Sequence, residues 1–111
     1  MSELPDRGSL VWLEFSPHAG HEQGGRRPAI VLTTKAYHEL SPTAVVCPIS
    51  RTERGWPMEV RLPDGLPVSG VVLVDQVRSV DRKARHLRLA GKVPRDVLDE
   101  IGEKLVPFLN L

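Results

Sequence analysis

Short apolar runs, each closed by turn-forming or charged residues, organise most of this chain. Leu10–Phe15 (LVWLEF), Ala29–Thr34 (AIVLTT) and Thr43–Ile49 (TAVVCPI) are dense in Val, Ile and Leu, and Met58–Leu62, Val71–Val80 and a stretch around His86–Lys92 continue the pattern. Runs of this length between Pro and Gly predict strands. Pro63-Asp64-Gly65 supplies turn chemistry between the fourth and fifth, because Gly in the third position takes a positive φ without a Cβ clash. The period then changes. Pro94, Leu98, Ile101, Leu105 and Phe108 recur at three or four residues, which sets them on one face of a helix. Pro94 suits its first turn, and Asp96, Asp99 and Glu100 favour the positive end of its dipole. Val93 is a poor cap, and Pro107 is expected to end or kink the helix. A helical turn is expected at Lys35–Leu40. The pattern predicts a mainly β fold with a C-terminal helix, and so many short strands in a small domain must close or nearly close into a small barrel.

Composition narrows the class. With 111 residues, 41% hydrophobic and 26% charged, the chain fits one domain over 1–111 and excludes a multidomain enzyme. The single Cys47 forms no internal disulfide and no cysteine metal site, and is expected to pack inside as a small apolar group. No apolar run approaches the ~20 residues of a membrane span. Met1–Leu10 lacks the apolar stretch of a signal peptide, so the cytoplasm is the expected compartment. No His/Cys spacing resembles a zinc site, and no Gly-rich phosphate loop with Lys and Ser/Thr occurs, so neither metal nor cofactor is expected.

Net charge is only +1, yet its distribution is uneven. From Arg78 to Arg95 seven basic residues (Arg78, Arg82, Lys83, Arg85, Arg88, Lys92 and Arg95) stand against one acid, Asp81. Such a stripe either attracts phosphates through a salt-dependent field or is a solvated strand and loop surface. The segment Ser16–Pro28 is longer than a usual hairpin connection, and it concentrates His18, His21, Glu22, Arg26 and Arg27 among glycines. On its chemistry it is a candidate anion site, with a loop of solvated charges as the alternative.

Four segments together carry a resemblance. Gly20-His21-Glu22-Gln23 followed by Arg27-Pro28 and Ala29-Ile30-Val31-Leu32, then Val46-Cys47-Pro48-Ile49-Ser50, then Gly70 to Ser79, and the opening Arg7-Gly8-Ser9-Leu10-Val11-Trp12, resemble the MazF/PemK family of toxin endoribonucleases in order and spacing nearly end to end. The resemblance implies an SH3-like barrel of the MazF/PemK/CcdB type and a symmetric homodimer. It further implies sequence-selective, metal-free cleavage of single-stranded RNA, and a cognate MazE-like antitoxin whose flexible acidic tail occupies the RNA groove. DNA is then met only through an antitoxin complex, and no membrane is involved.

Carried over residue by residue, Arg27 takes the place of the family's catalytic arginine, Ser50 that of a catalytic threonine, Glu22 that of a loop glutamate, and His21 that of a histidine of the PemK branch. Asp75 matches an Asp-Gln pair. In the PemK branch an arginine stands two residues before that aspartate, where this chain has Leu73, which favours Arg27 with Ser50 over a mechanism centred on Asp75. Arg26, Arg51, Trp56, Arg78, Arg85 and Arg88 are candidate RNA contacts.

The chemistry agrees with these residue types. Metal-free cleavage uses the ribose 2′-hydroxyl as internal nucleophile, so the protein must help deprotonate it, stabilise charge on the phosphoryl oxygens and protonate the leaving 5′-oxygen. A guanidinium presents a fork of donors to phosphate. A serine hydroxyl donates one hydrogen bond or orients the nucleophile. For the base, Glu22 and His21 both qualify, His having the better intrinsic acidity. Trp12 is expected in the core. Trp56 is either an anchor against the barrel, the slightly favoured role, or a base-stacking platform. From another class comes a non-catalytic CcdB-like toxin that poisons DNA gyrase; its relatives end in Trp-Gly-Ile, whereas this chain ends in Phe108-Leu109-Asn110-Leu111.

Overall fold

A computed structural model describes residues 3–15 and 25–111. Seven strands form one antiparallel sheet: β1 (Ser9–Glu14), β2 (Arg26–Val31), β3 (Thr43–Ser50), β4 (Glu59–Arg61), β5 (Val71–Leu73), β6 (Arg78–Asp81) and β7 (Arg88–Lys92). Two helices complete it, α1 (Lys35–His38) and α2 (Arg95–Leu109). The strands lie in the order β4-β5-β3-β2-β1-β7, and β6 pairs with β3 beside β5.

The eight residues of β3 hold this sheet together. One edge pairs with β2 from Ala29↔Pro48 to Val31↔Val46. The other edge is shared, Ile49 and Ser50 pairing with β5 and Thr43 to Val46 with β6. Side chains of a strand alternate between faces. On β3, Cys47 and Ile49 enter a core with Leu10, Ile30, Val72, Val97 and Ile101, while Ala44 and Val46 enter another with Val11, Leu13, Ala29, Val31 and Val80. The first core lies under α2. The second is enclosed by the strands themselves, which requires the sheet to curl as a small barrel does.

Two expectations change. Val71–Val80 is not one strand: Val74–Gln76 forms a 3₁₀ turn between β5 and β6. The pairing partners along β3 shift by three residues across it, from Ile49↔Val72 to Ala44↔Val80. An odd shift reverses the alternation, which is why Val72 and Val80 enter different cores although both positions are even. The turn also takes Asp75 and Gln76 out of the ladder. In addition, Arg26, Arg27 and Pro28 belong to β2 and not to the preceding loop.

The helix face is also displaced. Val97 and Ile101 are the buried residues of α2, with Leu98 and Leu105 packed beside them, whereas Phe108 is about half exposed. Pro94 is the N-cap residue and supplies no side-chain hydrogen bond. Pro107 lies inside the helix without ending it, since a missing N–H so near the end removes one bond at most. Asn110 closes the helix in a left-handed conformation at φ 59°, where Asn is tolerated, its N–H donating to the Pro107 carbonyl at 3.1 Å.

These contacts separate Ile101 from Phe108. Ile101→Ala should lower stability by about 2–4 kcal/mol, seen as a Tm drop of roughly 10 °C or more, whereas Phe108→Ala should cost less than about 1 kcal/mol in the monomer. Thermal unfolding followed by circular dichroism checks both.

Candidate functional site

The β2–β3 ladder ends at Ala29↔Pro48. Pro28 and Pro48 have no N–H to give a ladder, and beyond them β3 is paired only on its opposite edge, with β5, while β2 stays with β1 through Leu13↔Arg27 and Glu14↔Arg26. A cleft of about 650 Å³ opens there. Continued by two residues, the β2–β3 register sets Arg27 opposite Ser50, and both line the cleft. Trp12, Pro28, Pro48 and Ile49 contribute apolar wall, and Arg26, Arg51, Arg54, Trp56, Glu59, Asp75 and Gln76 surround it. Four arginines thus meet two carboxylates among the described residues.

Ser50 is held by its surroundings. Its Oγ accepts the Thr52 N–H at 3.0 Å. Gly70, at φ +127°, packs against it so closely that a Cβ would overlap the Ser50 carbonyl oxygen and lie 2.9 Å from the carbonyl carbon. Only glycine fits that approach.

The segment from Arg51 to Pro57 is fixed from two sides. The Glu59 carboxylate accepts the N–H groups of Arg54 at 3.1 and 3.2 Å and of Gly55 at 2.9 Å, and its own N–H donates to the Trp56 carbonyl at 3.1 Å. From α2, Lys104 Nζ donates to the Pro57 carbonyl at 2.7 Å. The Glu53 carboxylate accepts from Arg61 Nη2 at 2.8 and 2.9 Å and from Nε at 3.3 Å, and it holds the Arg61 guanidinium above its ordinary pKa. The Arg54 guanidinium lies 5.2 Å from the centroid of the Trp56 ring.

Beneath the cleft, Cys47 is fully buried as expected. Burial, and secondarily the Asp75 carboxylate, pushes its thiol up to about 12 from an ordinary 9.0. Its Sγ–H points to the Val74 carbonyl at 3.9 Å, just before Asp75.

Five expected residues, Arg26, Arg27, Ser50, Arg51 and Trp56, therefore come together on one cleft. His21 and Glu22 lie outside the described residues. Arg78, Arg85 and Arg88 do not line it. Arg78 lies over the Phe15 ring at 5.2 Å, and Arg85 Nη1 donates to the carbonyls of Glu14 and Phe15 at 3.3 and 3.2 Å. Arg82 likewise donates to the carbonyls of His38 and Ser41, and Arg88 stands exposed on β7 opposite Trp12. The basic stripe is thus distributed over several elements, part of it bonded to backbone. Trp56 is not the anchor expected of it: it is 52% exposed and joins neither core. Trp12 packs against the first core and also reaches the cleft. Arg54 and Glu59 were not anticipated, although Arg54, two residues before Trp56 in a polar segment, carried a signal; Gln76 enters as the second residue of the Asp-Gln pair.

The family described as PemK-like, MazF-like toxin of type II toxin-antitoxin system matches residues 6–109. The chain belongs to this family. It is 37% identical over 102 residues to the endoribonuclease toxin MazF of Escherichia coli K12, covering 92% of this chain and 91% of that protein. It is 32% identical over 109 residues to the Escherichia coli endoribonuclease PemK, covering 95% and 82%. The crystal structure of MazE-MazF (Form-II) from Deinococcus radiodurans superposes with a TM-score of 0.94 at 47% identity over 99% of both chains. The MazF/PemK fold expected from the sequence therefore stands, and the expected enzyme class is that of the named relatives. Among the described residues no helix is long and apolar enough to cross a membrane.

The raised Cys47 pKa has a sign that can be tested. The folded chain holds this proton more tightly than the unfolded chain, so the associated stability is complete below about pH 9 and declines as pH rises toward about 12. The urea midpoint of the wild type should fall more steeply between pH 8 and 10.5 than that of Cys47→Ala, measured at the same temperature and salt.

Proposed function

We propose that this chain is the toxin of a type II toxin–antitoxin pair and acts as a sequence-specific, metal-independent endoribonuclease on single-stranded RNA, so inhibiting translation and growth from the cytoplasm. The single observation that supports it most is that Arg27 and Ser50 line one cleft together with Arg26, Arg51 and Arg54. In the proposed reaction the ribose O2′ attacks the adjacent phosphorus, the bond from phosphorus to O5′ breaks, and the products are a 2′,3′-cyclic phosphate and a 5′-hydroxyl. Arg27 stabilises the charge that grows on the phosphoryl oxygens, as preorganised donors do in a partly enclosed site. Ser50 donates a hydrogen bond to a phosphoryl oxygen or orients the 2′-hydroxyl. Glu22 or His21 takes the 2′-proton, and the leaving O5′ takes a proton from solvent to become the 5′-hydroxyl. Arg26 and Arg51 contact flanking phosphates, with Arg88 further along the strand. Arg78, over the Phe15 ring, and Arg85, which donates to the Glu14 and Phe15 carbonyls, lie outside the cleft and contact the RNA strand further along. The 2′-hydroxyl requirement makes the substrate RNA and not DNA.

Residues 1–111 act in this proposal as one toxin domain that pairs as a homodimer and is neutralised by a MazE-like antitoxin. The Deinococcus radiodurans structure is of a MazE-MazF complex, and an acidic tail suits a cleft rich in arginine. The relatives named endoribonucleases favour this activity over gyrase poisoning.

Arg27→Ala should lower the saturated cleavage rate by about 100-fold or more with little change in Tm, and Ser50→Thr should retain activity. Incubation with a long single-stranded RNA, in excess EDTA, followed by end mapping should give cyclic phosphate and 5′-hydroxyl termini. Wild-type turnover by Arg27→Ala, or activity abolished by EDTA and restored by a divalent ion, would remove the mechanism. Light scattering at micromolar concentration should report about twice the chain mass, and a persistent monomer would contradict the dimer.

A further inference from the structure

A half-exposed tryptophan sits here on a polar segment whose backbone is fixed from two sides. Gly55, at φ +78°, turns the backbone between Arg54 and Trp56 in a conformation that L side chains rarely adopt, and among the described residues nothing lies within 4 Å of where its Cβ would be. The conformation is therefore not a consequence of crowding. Glu59 closes the segment reciprocally, its carboxylate on the N–H groups of Arg54 and Gly55 and its N–H on the Trp56 carbonyl, and Lys104 secures Pro57. None of these contacts buries the indole, which stays 52% exposed at the rim of the cleft that contains Arg27 and Ser50. Leaving so large an apolar face in water opposes folding, so packing does not explain its placement.

The chemistry of that face identifies its occupant. An indole offers a broad π surface, and Arg54 already uses part of it at 5.2 Å from the ring centroid. A guanidinium beside an indole, on the wall of a cleft whose described side chains are mostly cationic among the charged ones, suits a planar group attached to an anionic backbone. Resting on the RNA-cleaving function proposed above, we propose that Trp56, with Arg54, is the platform on which one unpaired base of the substrate stacks, and that Glu59 is the positioning residue that sets the platform against the reacting phosphate. The site reads a base by its face and not by its hydrogen-bonding edge, so it contributes affinity and register while other contacts supply sequence selectivity.

The experiment couples protein to substrate. Cleavage of a short single-stranded RNA is measured for wild type, Trp56→Leu, Trp56→Phe, Glu59→Ala and Glu59→Gln, with melting curves for each, against the intact RNA and a series in which single nucleotides are made abasic in turn. Trp56→Leu should raise KM by about 10-fold with kcat within about 2-fold, and Trp56→Phe should recover most of the loss. Glu59→Ala should raise KM similarly and Glu59→Gln, which keeps an acceptor oxygen, should restore part of it. At one position the abasic RNA should weaken the wild type by the same factor and weaken Trp56→Leu no further. An unchanged KM in Trp56→Leu, a loss confined to kcat, or abasic losses that multiply with Trp56→Leu at every position would each overturn the platform while leaving RNA cleavage intact. A wild-type chain that neither binds nor cleaves the RNA would overturn the functional reading and the platform with it.

Discussion

Everything in this domain is arranged around the alternation of side chains along β3. One strand of eight residues feeds two cores and pairs with three neighbours, so its register decides simultaneously where α2 docks, where the sheet curls and where the cleft opens. The cleft is a direct result. It lies where the β2–β3 ladder stops past two prolines while β3 keeps β5 on its opposite edge, so that the ends of β2 and β3 share no ladder and Arg27 and Ser50 both line the gap. Arg27 and Ser50 are thus carried by strands with residues in both cores, a firmer support than a loop provides.

The electrostatics of the cleft depend on what its acidic neighbours are doing. Glu59 is occupied with backbone N–H groups and Glu53 with Arg61, so their negative charge is directed into holding the segment that bears Trp56. In the cleft itself four arginines, Arg26, Arg27, Arg51 and Arg54, stand against two carboxylates, Glu59 and Asp75. A net charge near zero for the whole chain is therefore compatible with a strongly cationic cleft, because segregation and engagement of charges matter more than their sum.

Much of this was legible in the sequence, for physical reasons that differ by element. Strands β1, β2 and β3 announce themselves because residues buried on both faces make continuous apolar runs. The Arg27 and Ser50 positions were recoverable because a family pattern ties them to neighbouring strands. By contrast, Val71–Val80 reads as a single strand since a 3₁₀ turn of Val, Asp and Gln carries no Gly or Pro to mark it. The C-terminal helix was found, but periodicity alone could not tell that Val97 and not Phe108 faces the core: Val97, Ile101 and Leu105 pack there, whereas Phe108 in the last turn stays about half exposed. The scattering of the basic stripe was equally hidden, since residues adjacent in sequence at Arg82, Arg85 and Arg88 are sent to different surfaces by a turn in which His86 adopts φ 51°. Glu59 lacked any signal: its role lies in backbone N–H groups five and four residues before it, which side-chain patterns do not encode.

The three-residue step at Val74–Gln76 carries an implication for how this fold can vary. Because strand parity has a period of two, adding or removing one residue there would turn every side chain of β6 over, exchanging Val80 for its polar neighbours in the second core. A change of two residues would keep the parity. Length variation at this turn is therefore restricted to even steps, whereas the hairpin through Pro63-Asp64-Gly65, which joins strands already paired with each other, is under no such arithmetic.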